Sequence, residues 1–475
     1  LELRPINGNL EGGYKMFNGV IVLFGVTGNL ATHKLLPALY ALARRAKSNF
    51  KIVGCALESI DLKELLELVK ANIKDFDQES WKSFCKKIVY QQLDFTDQTG
   101  YSLLLEKVVK CEQELGGASN RLLYFSVPPQ LFDLLTRSVV QISLVKSGML
   151  GEGGQPWHRI VYEKPFGLNH AMADQINKTI EEIIDEQQIF RVDHYLLHEI
   201  VNNIVHVRFA NRLFDPAWNA KNIDHVQIVM LEKSCPEGDA VTRQMGTIKD
   251  VVQSHLLQLI ALVAMEQPNC LGNDSVRESK IQVMSKVEFM DGVLGIARGC
   301  KTCDDSDSPD SETFAALSFS IDTPRWQGVP FFVVTGKCLE KKETMIHIVF
   351  KPTGCSSDLT KPNILTLQIA PDEGFSVSLN VQKPGMAEGF ESVTMDYCHK
   401  CIFGAMTPKA YESLFDNIIR GNRLVSVGRD EICQAWDIAE KVLERSLSMF
   451  DYQHGQNGPQ EAQEFIKRSG GEWLI

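Results

Sequence analysis

With 475 residues the chain is too long for one ordinary core, so two or more domains are expected. Hydrophobic residues at 44% and charged residues at 23% exclude disorder or a fibre as the main state. The balance of 49 Lys and Arg against 60 Asp and Glu, a net charge of −11, argues against a nucleic-acid surface or a polybasic membrane patch, and leaves an anionic ligand only where donors cluster locally.

No apolar run approaches the ~20 residues of a bilayer span, so no membrane partner is expected. Residues 1–15 lack the apolar core of a signal peptide, and most of the 12 Cys are read as reduced, buried thiols of a cytoplasmic protein. Along the first ~190 residues, short apolar runs alternate with helical patterns. GVIVLFG (19–25) precedes a helix from 30 to 46, KIVGCAL (51–57) precedes an amphipathic helix over 62–73, and a weaker strand lies near 88–91. A helix over 102–115 leads to the strand RLLYFSV (121–127), which ends at Pro128–Pro129. RIVYEKP (159–165) is another strand, followed by a helix over 169–186. Fully apolar strands alternating with helices predict a parallel sheet covered on both faces. The pattern then changes. One long apolar helix spans 246–265, and six strand-like runs follow at 313–322, 330–336, 343–350, 363–369, 373–381 and 392–397, predicting a large antiparallel sheet. Two helices, near 408–420 and 429–448, are expected to close the chain, and the acidic stretch 303–312 reads as a solvated loop.

Five features carry chemistry. In GVTGNLA (25–31), Gly25 and Gly28 let the backbone turn tightly against a diphosphate. The helix start near Asn29 and Leu30 offers N–H groups and the positive end of a dipole. A Gly-containing strand–helix turn without a ligand is the alternative. At the end of the second strand (CALESID), Glu58 suits a ribose 2′-hydroxyl, or else faces solvent. In VYEKPFG (161–167), Lys164 stands at a strand's C-terminal end, where open α/β sheets place ligand groups; a structural Lys reaching from a strand end is the alternative. FRVDHYLLHE (190–199) sets Asp193, His194 and Tyr195 side by side. If a helix starts there, His194 and His198 share a face that holds a phosphate, or a metal through HxxxH spacing, for which no third ligand is identifiable. His255 lies in the apolar helix, five residues after Asp250 and, at α-helical spacing, on a different side of the axis; a satisfied core histidine is the plain reading. The pairs Cys300–Cys303 and Cys398–Cys401 read as incidental thiols before a zinc site, and no metal is expected.

Together, GVTGNLATHKLLPALY, YFSVPP, RIVYEKPFG, RVDHYLLHE, VRFANRLFDPAWN, IKDVVQSHLLQ, VPFFVVTGKCL and KPGM resemble the glucose-6-phosphate dehydrogenase family, in order and over nearly the whole chain. The resemblance implies an α/β Rossmann-like dinucleotide-binding domain over 1–190. It implies a substrate-binding and oligomerisation α+β domain over 191–475, with a large, mainly antiparallel sheet. It implies oxidation of glucose 6-phosphate at C1 to 6-phosphogluconolactone, the first step of the oxidative pentose phosphate pathway, with hydride passing to NADP or NAD. By the same resemblance His255 is the base, Asp193 orients it and Lys164 stands at the sugar–nicotinamide junction. His194, Tyr195 and His198 fall at phosphate positions, Glu232, Asp250 and Lys337 around the sugar hydroxyls, and Lys342 at a further basic position. Gly25, Thr27, Gly28, Asn29, Leu30, Glu58, Pro128 and Lys164 bind the cofactor. A homodimer or homotetramer is also implied.

The chain departs from the family at two places. Where the family reads DHYLGKE, this chain has Leu197 and His198, which trades a lysine charge for an imidazole that binds phosphate best when protonated. Where NADP-using members carry an Arg, this chain has Leu57 followed by Glu58, which opens NAD use, with Thr27 and Lys34 remaining as contacts for a 2′-phosphate. The second, structural NADP site of some members is not expected. A non-catalytic regulatory relative, or a dehydrogenase of another aldose, are the competing readings.

Overall fold

The apolar runs of the first part become one parallel sheet because each is flanked by helices that bury both of its faces. The computed structural model describes residues 17–45, 48–235, 245–299, 311–352, 360–385, 390–404 and 409–475. They form two compact units, Leu1–Leu197 with Pro408–Arg429, and His198–Thr407 with Asp430–Ile475.

The first unit is built on β1 (Asn18–Phe24), β2 (Asn49–Ala56), β3 (Ile88–Gln92), β4 (Asn120–Phe125), β5 (His158–Tyr162) and β6 (Ile189–Arg191). Their order is β3-β2-β1-β4-β5-β6, all parallel, the doubly wound arrangement whose strand order reverses between β1 and β4. Alternate residues of β1 feed two cores: Ile21 and Leu23 face one, Val20, Val22 and Phe24 the other. The short strand β6 and the helices Gln78–Cys85 and Phe132–Gln141 were not distinguished by pattern.

The expected division at 190 assigns residues 409–429 to the second domain, but the structure packs them with the first. Leu414, Phe415, Ile418 and Ile419 of the helix Ala410–Arg420 join the same core as β1. The chain then pairs with the end of β6: the Arg191 N–H donates to Ser426 Oγ at 2.9 Å, and the Val427 N–H to the Arg191 carbonyl at 3.0 Å.

The second unit holds a nine-stranded sheet of β7 (Ile223–Leu231), β8 (Val287–Arg298), β9 (Phe314–Ile321), β10 (Phe331–Gly336), β11 (Glu343–Phe350), β12 (Ile364–Ala370), β13 (Gly374–Gln382), β14 (Phe390–Cys398) and β15 (Met449–Gln453). The order is β14-β13-β12-β11-β7-β10-β9-β8-β15. All pairings are antiparallel except β7–β10 and β8–β15, so the sheet is mainly antiparallel as expected. The two helices expected to end the chain are followed by β15 and the helix Gln460–Arg468. The long apolar helix is present, but its first part, Ile248–Leu256, is wound as a π-helix before continuing as the α-helix Leu257–Ala264, every residue of which is buried. Among the described residues no helix is long and apolar enough to cross a membrane.

Candidate active site

In the first unit the polar groups come from the carboxyl ends of successive strands. After β1, Gly25 takes φ +80°, and a Cβ there would lie 2.2 Å from the Ser126 carbonyl, so only glycine makes this turn. The Gly25 N–H donates to the Cys55 carbonyl at 2.8 Å, and the Gly28 N–H to the Gly25 carbonyl at 3.1 Å, tying the turn between β2 and the β1/β4 switch point. A helix starts at Asn29, directly after the turn, and runs on through the π-wound Ala31–Leu35 into Leu36–Arg45. After β2, Leu57 is exposed and Glu58 accepts from the Thr27 hydroxyl at 3.2 Å. Thr27, offered as a contact for a 2′-phosphate, is thus engaged by a carboxylate. After β4 the chain passes through Ser126 to Pro128, also at the switch point. The tight turn, the helix start directly after it and a carboxylate beside the turn fit a nicotinamide dinucleotide.

Beyond β5 and β6 lie Glu163, Lys164, Asp193 and His194. Asp193 is buried and its Oδ1 accepts from the Tyr195 N–H at 2.8 Å. The Glu163 side chain is only 6% exposed. Its Oε1 accepts from the Tyr124 hydroxyl, and its Oε2 lies 3.1 Å from His194 Nε2. The Tyr411 oxygen is 2.9 Å from the same nitrogen, and the two rings are in contact. Burial draws the His194 pKa down, but the hydrogen bond and charge of Glu163 outweigh it and hold the pKa above the ordinary histidine value. Burial, reinforced by Glu163, pushes the phenols of Tyr124 and Tyr411 far above their usual range, so both stay neutral.

In the second unit the groups come from unlike elements. The i→i+5 winding of Ile248–Leu256 brings residues five apart to nearly one face, so Asp250 and His255 share a side that an α-helix would deny them. His255 is buried. Asp250 Oδ2 meets Nζ of Lys337, one residue past β10, at 2.6 Å. Glu232, one residue past β7, is held by its own N–H to the Gly336 carbonyl (2.9 Å) and by the Leu339 N–H to its carbonyl (3.0 Å). Lys342 is exposed just ahead of β11. Cys235 and Cys338 are joined as a disulfide, tying the segments that carry Glu232 and Lys337.

His198 does not extend a helix that includes His194. Residues Tyr195–Leu197 form a 3-10 turn, and the helix Glu199–Phe209 starts only after His198, so the expected shared face and the HxxxH metal alternative lose their geometry. His198 Nδ1 lies 2.9 Å from Glu373 Oε1, while Glu373 Oε2 accepts from the Ile200 N–H at 3.0 Å. Cys398 and Cys401 form a second disulfide rather than free thiols, whereas Cys300 and Cys303 lie outside the described residues, as does most of the acidic stretch 303–312. Cys55, Cys85, Cys111 and Cys270 are not joined in disulfides. Sequence reasoning missed Glu163, Tyr124, Tyr411 and Glu373. Glu163 adjoins Lys164 in a quoted motif, but Tyr411 arrives from 217 positions beyond His194 with no local signal.

Against this geometry stand the likenesses to known proteins. The family model described as glucose-6-phosphate dehydrogenase, NAD binding domain, matches residues 22–203, and that described as glucose-6-phosphate dehydrogenase, C-terminal domain, matches residues 205–474. The chain is 33% identical to glucose-6-phosphate 1-dehydrogenase of Chlamydia muridarum, with 96% of each chain covered. It is 32% identical to that of Bacillus subtilis, with 96% of this chain and 98% of the relative covered. It is similar, at TM-score 0.88 and 29% identity, to a solved glucose-6-phosphate dehydrogenase in complex with its substrate glucose-6-phosphate, covering 97% of this chain and 99% of that one. At TM-score 0.82 and 29% identity it is similar to glucose-6-phosphate 1-dehydrogenase from Mycobacterium avium, covering 96% and 99%.

Proposed function

This chain belongs to the glucose-6-phosphate dehydrogenase family, and on that premise we propose how its residues carry out the oxidation of glucose 6-phosphate at C1 to 6-phosphogluconolactone. The observation that carries the reading is the wide helix Ile248–Leu256, which aligns His255 with an Asp250 already paired to Lys337. The C1 hydroxyl must lose its proton as hydride leaves the carbon, and a neutral imidazole at His255 suits that transfer near pH 7. Asp193 takes the family role of stabilising the imidazolium that results. Glu232, Asp250 and Lys337 hold the sugar hydroxyls, a lysine donor and two carboxylate acceptors matching the donor–acceptor character of a polyol. His194, Tyr195 and His198 receive the phosphate, with Lys342 as a further cation. The nicotinamide dinucleotide, when bound, supplies the hydride acceptor; Gly25, Thr27, Gly28, Asn29, Leu30, Glu58, Pro128 and Lys164 would hold it.

On cofactor choice, we infer that NAD competes with NADP. The Thr27–Glu58 hydrogen bond directs a carboxylate to the place where a 2′-phosphate would need a cation, and the exposed Leu57 supplies none. A cytoplasmic homodimer or homotetramer completes the proposal; exposed apolar residues on β13 and β14, among them Val381, Phe390, Val393 and Met395, support an assembly surface.

The test is cofactor reduction with glucose 6-phosphate in parallel assays with NADP and NAD, repeated with His255→Asn. Turnover is expected with both cofactors, falling about 10²- to 10⁴-fold in the variant. Folded protein that binds the sugar phosphate but reduces neither cofactor would move the reading to a regulatory relative.

A further inference from the structure

We propose that Glu163 is a positioning residue for phosphate recognition: its carboxylate holds the His194 ring through Nε2 and stabilises the imidazolium, whose Nδ1–H then meets the phosphate of the substrate. The inference rests on the reading of His194 as a phosphate ligand and adds to it the group that makes His194 competent.

The argument begins with which ring nitrogen carries a proton. Glu163 accepts from the Tyr124 hydroxyl on Oε1, and its Oε2 faces His194 Nε2 at 3.1 Å. A lone pair on Nε2 would repel that oxygen, so Nε2 carries the hydrogen and shares it between Glu163 and the Tyr411 oxygen, 2.9 Å away. Nδ1 of His194 has no protein hydrogen bond among the described residues, and the side chain is 43% exposed. Nδ1 is therefore the ring atom left for a ligand. In neutral histidine this arrangement makes Nδ1 an acceptor, which repels a phosphate oxygen. Only the imidazolium donates from both nitrogens. Phosphate binding at this site thus requires a protonated ring, and the buried carboxylate of Glu163 stabilises that form.

The surroundings agree. Burial and the nearby Lys164 oppose protonation of His194, while Glu163 and Asp193 favour it and prevail. Tyr124 and Tyr411 are both hydrogen-bonded within the cluster and stay neutral, so neither competes as an anion. Glu163 also directly precedes Lys164, so one strand end positions a carboxylate inward and the cofactor-side lysine beside it.

The sign of the pH effect follows. With a folded pKa above the ordinary value, the His194 contribution to phosphate binding is present at low pH and is lost as pH rises through that pKa. Removing the Glu163 charge moves the loss to lower pH.

The experiment is calorimetric titration of the full chain with glucose 6-phosphate in the absence of cofactor, from pH 6 to 9, for the wild type, Glu163→Gln, Glu163→Asp and His194→Gln. The titration of the substrate phosphate is common to all and cancels in the comparison. Glu163→Gln preserves the shape and the Tyr124 contact. It is expected to move the midpoint of the affinity loss down by about one pH unit. It should also weaken binding at pH 7.5 by roughly tenfold. In turnover the loss should fall on KM more than on kcat. Glu163→Asp, which keeps a carboxylate, should restore the wild-type midpoint in part, and serves in its own right if the Gln variant does not fold. A wild-type midpoint in Glu163→Gln, with His194→Gln weakened, overturns the role of Glu163 alone. Undiminished binding by His194→Gln overturns the phosphate reading of His194 itself.

Discussion

The two units present their candidate groups by different means. In the first, each group follows a parallel strand: Gly25 after β1, Glu58 after β2, Pro128 after β4, Glu163 and Lys164 after β5, Asp193 and His194 after β6. In the second, the groups come from a π-helix, two strand ends and the residue before a helix, and their alignment depends on how the helix is wound and on ion pairs. The first arrangement is fixed by backbone topology and is expected to resist side-chain changes while being vulnerable at its turns. The second is expected to be thermodynamically tolerant and functionally sensitive.

The sharpest contrast is within the first unit's turn. Gly25→Ala places a Cβ 2.2 Å from a backbone carbonyl at φ +80°, so urea unfolding should show a loss of about 3 kcal/mol or more. Gly28→Ala meets only the Gly25 carbonyl at 3.2 Å with no positive φ, and should unfold near the wild-type midpoint. Equal loss in both would break the claim that topology, rather than glycine content, governs this turn. In the second unit, Lys337→Met removes a partner of Asp250, and both side chains keep some contact with solvent. Thermal stability should barely change, whereas KM for glucose 6-phosphate should rise by roughly 10- to 100-fold, the worth of about 1.5–3 kcal/mol for a hydrogen bond to a charged group. A large fall in melting temperature would make the pair structural. The smallest effect is expected from His198→Lys. Glu373 remains as a partner, and the added permanent charge should lower KM severalfold. Steady-state kinetics decides it; an unchanged KM would remove His198 from the phosphate site.

The same contrast explains what was legible. Runs such as GVIVLFG and RLLYFSV announce buried parallel strands, and parallel strands deliver ligand groups at one end, so the placement of Gly25, Glu58 and Lys164 could be read from pattern and spacing. Asp250 and His255 could be named but not related. Five residues separate them across an α-helix, and nothing in the local sequence announces the π winding that unites them. The expected face shared by His194 and His198 failed because a 3-10 turn and a helix start intervene between them. The partners of those two histidines, Glu163 with Tyr411 and Glu373, are set by contacts across 31, 217 and 175 positions, beyond the reach of periodicity.

The return of Pro408–Arg429 to the first unit also sets an order in time. On the ribosome the sheet β1–β6 is complete once Leu197 has emerged, but the helix Ala410–Arg420 that covers part of its core, and the segment that pairs with β6, are made more than two hundred residues later. At about 5–20 residues per second that is a delay of roughly 10–50 s. Throughout it the nascent unit displays the apolar surface destined for Leu414, Phe415, Ile418 and Ile419. During synthesis that surface is the natural foothold for a chaperone, and a chain ending before Ala410 would keep a complete sheet over an unfinished core.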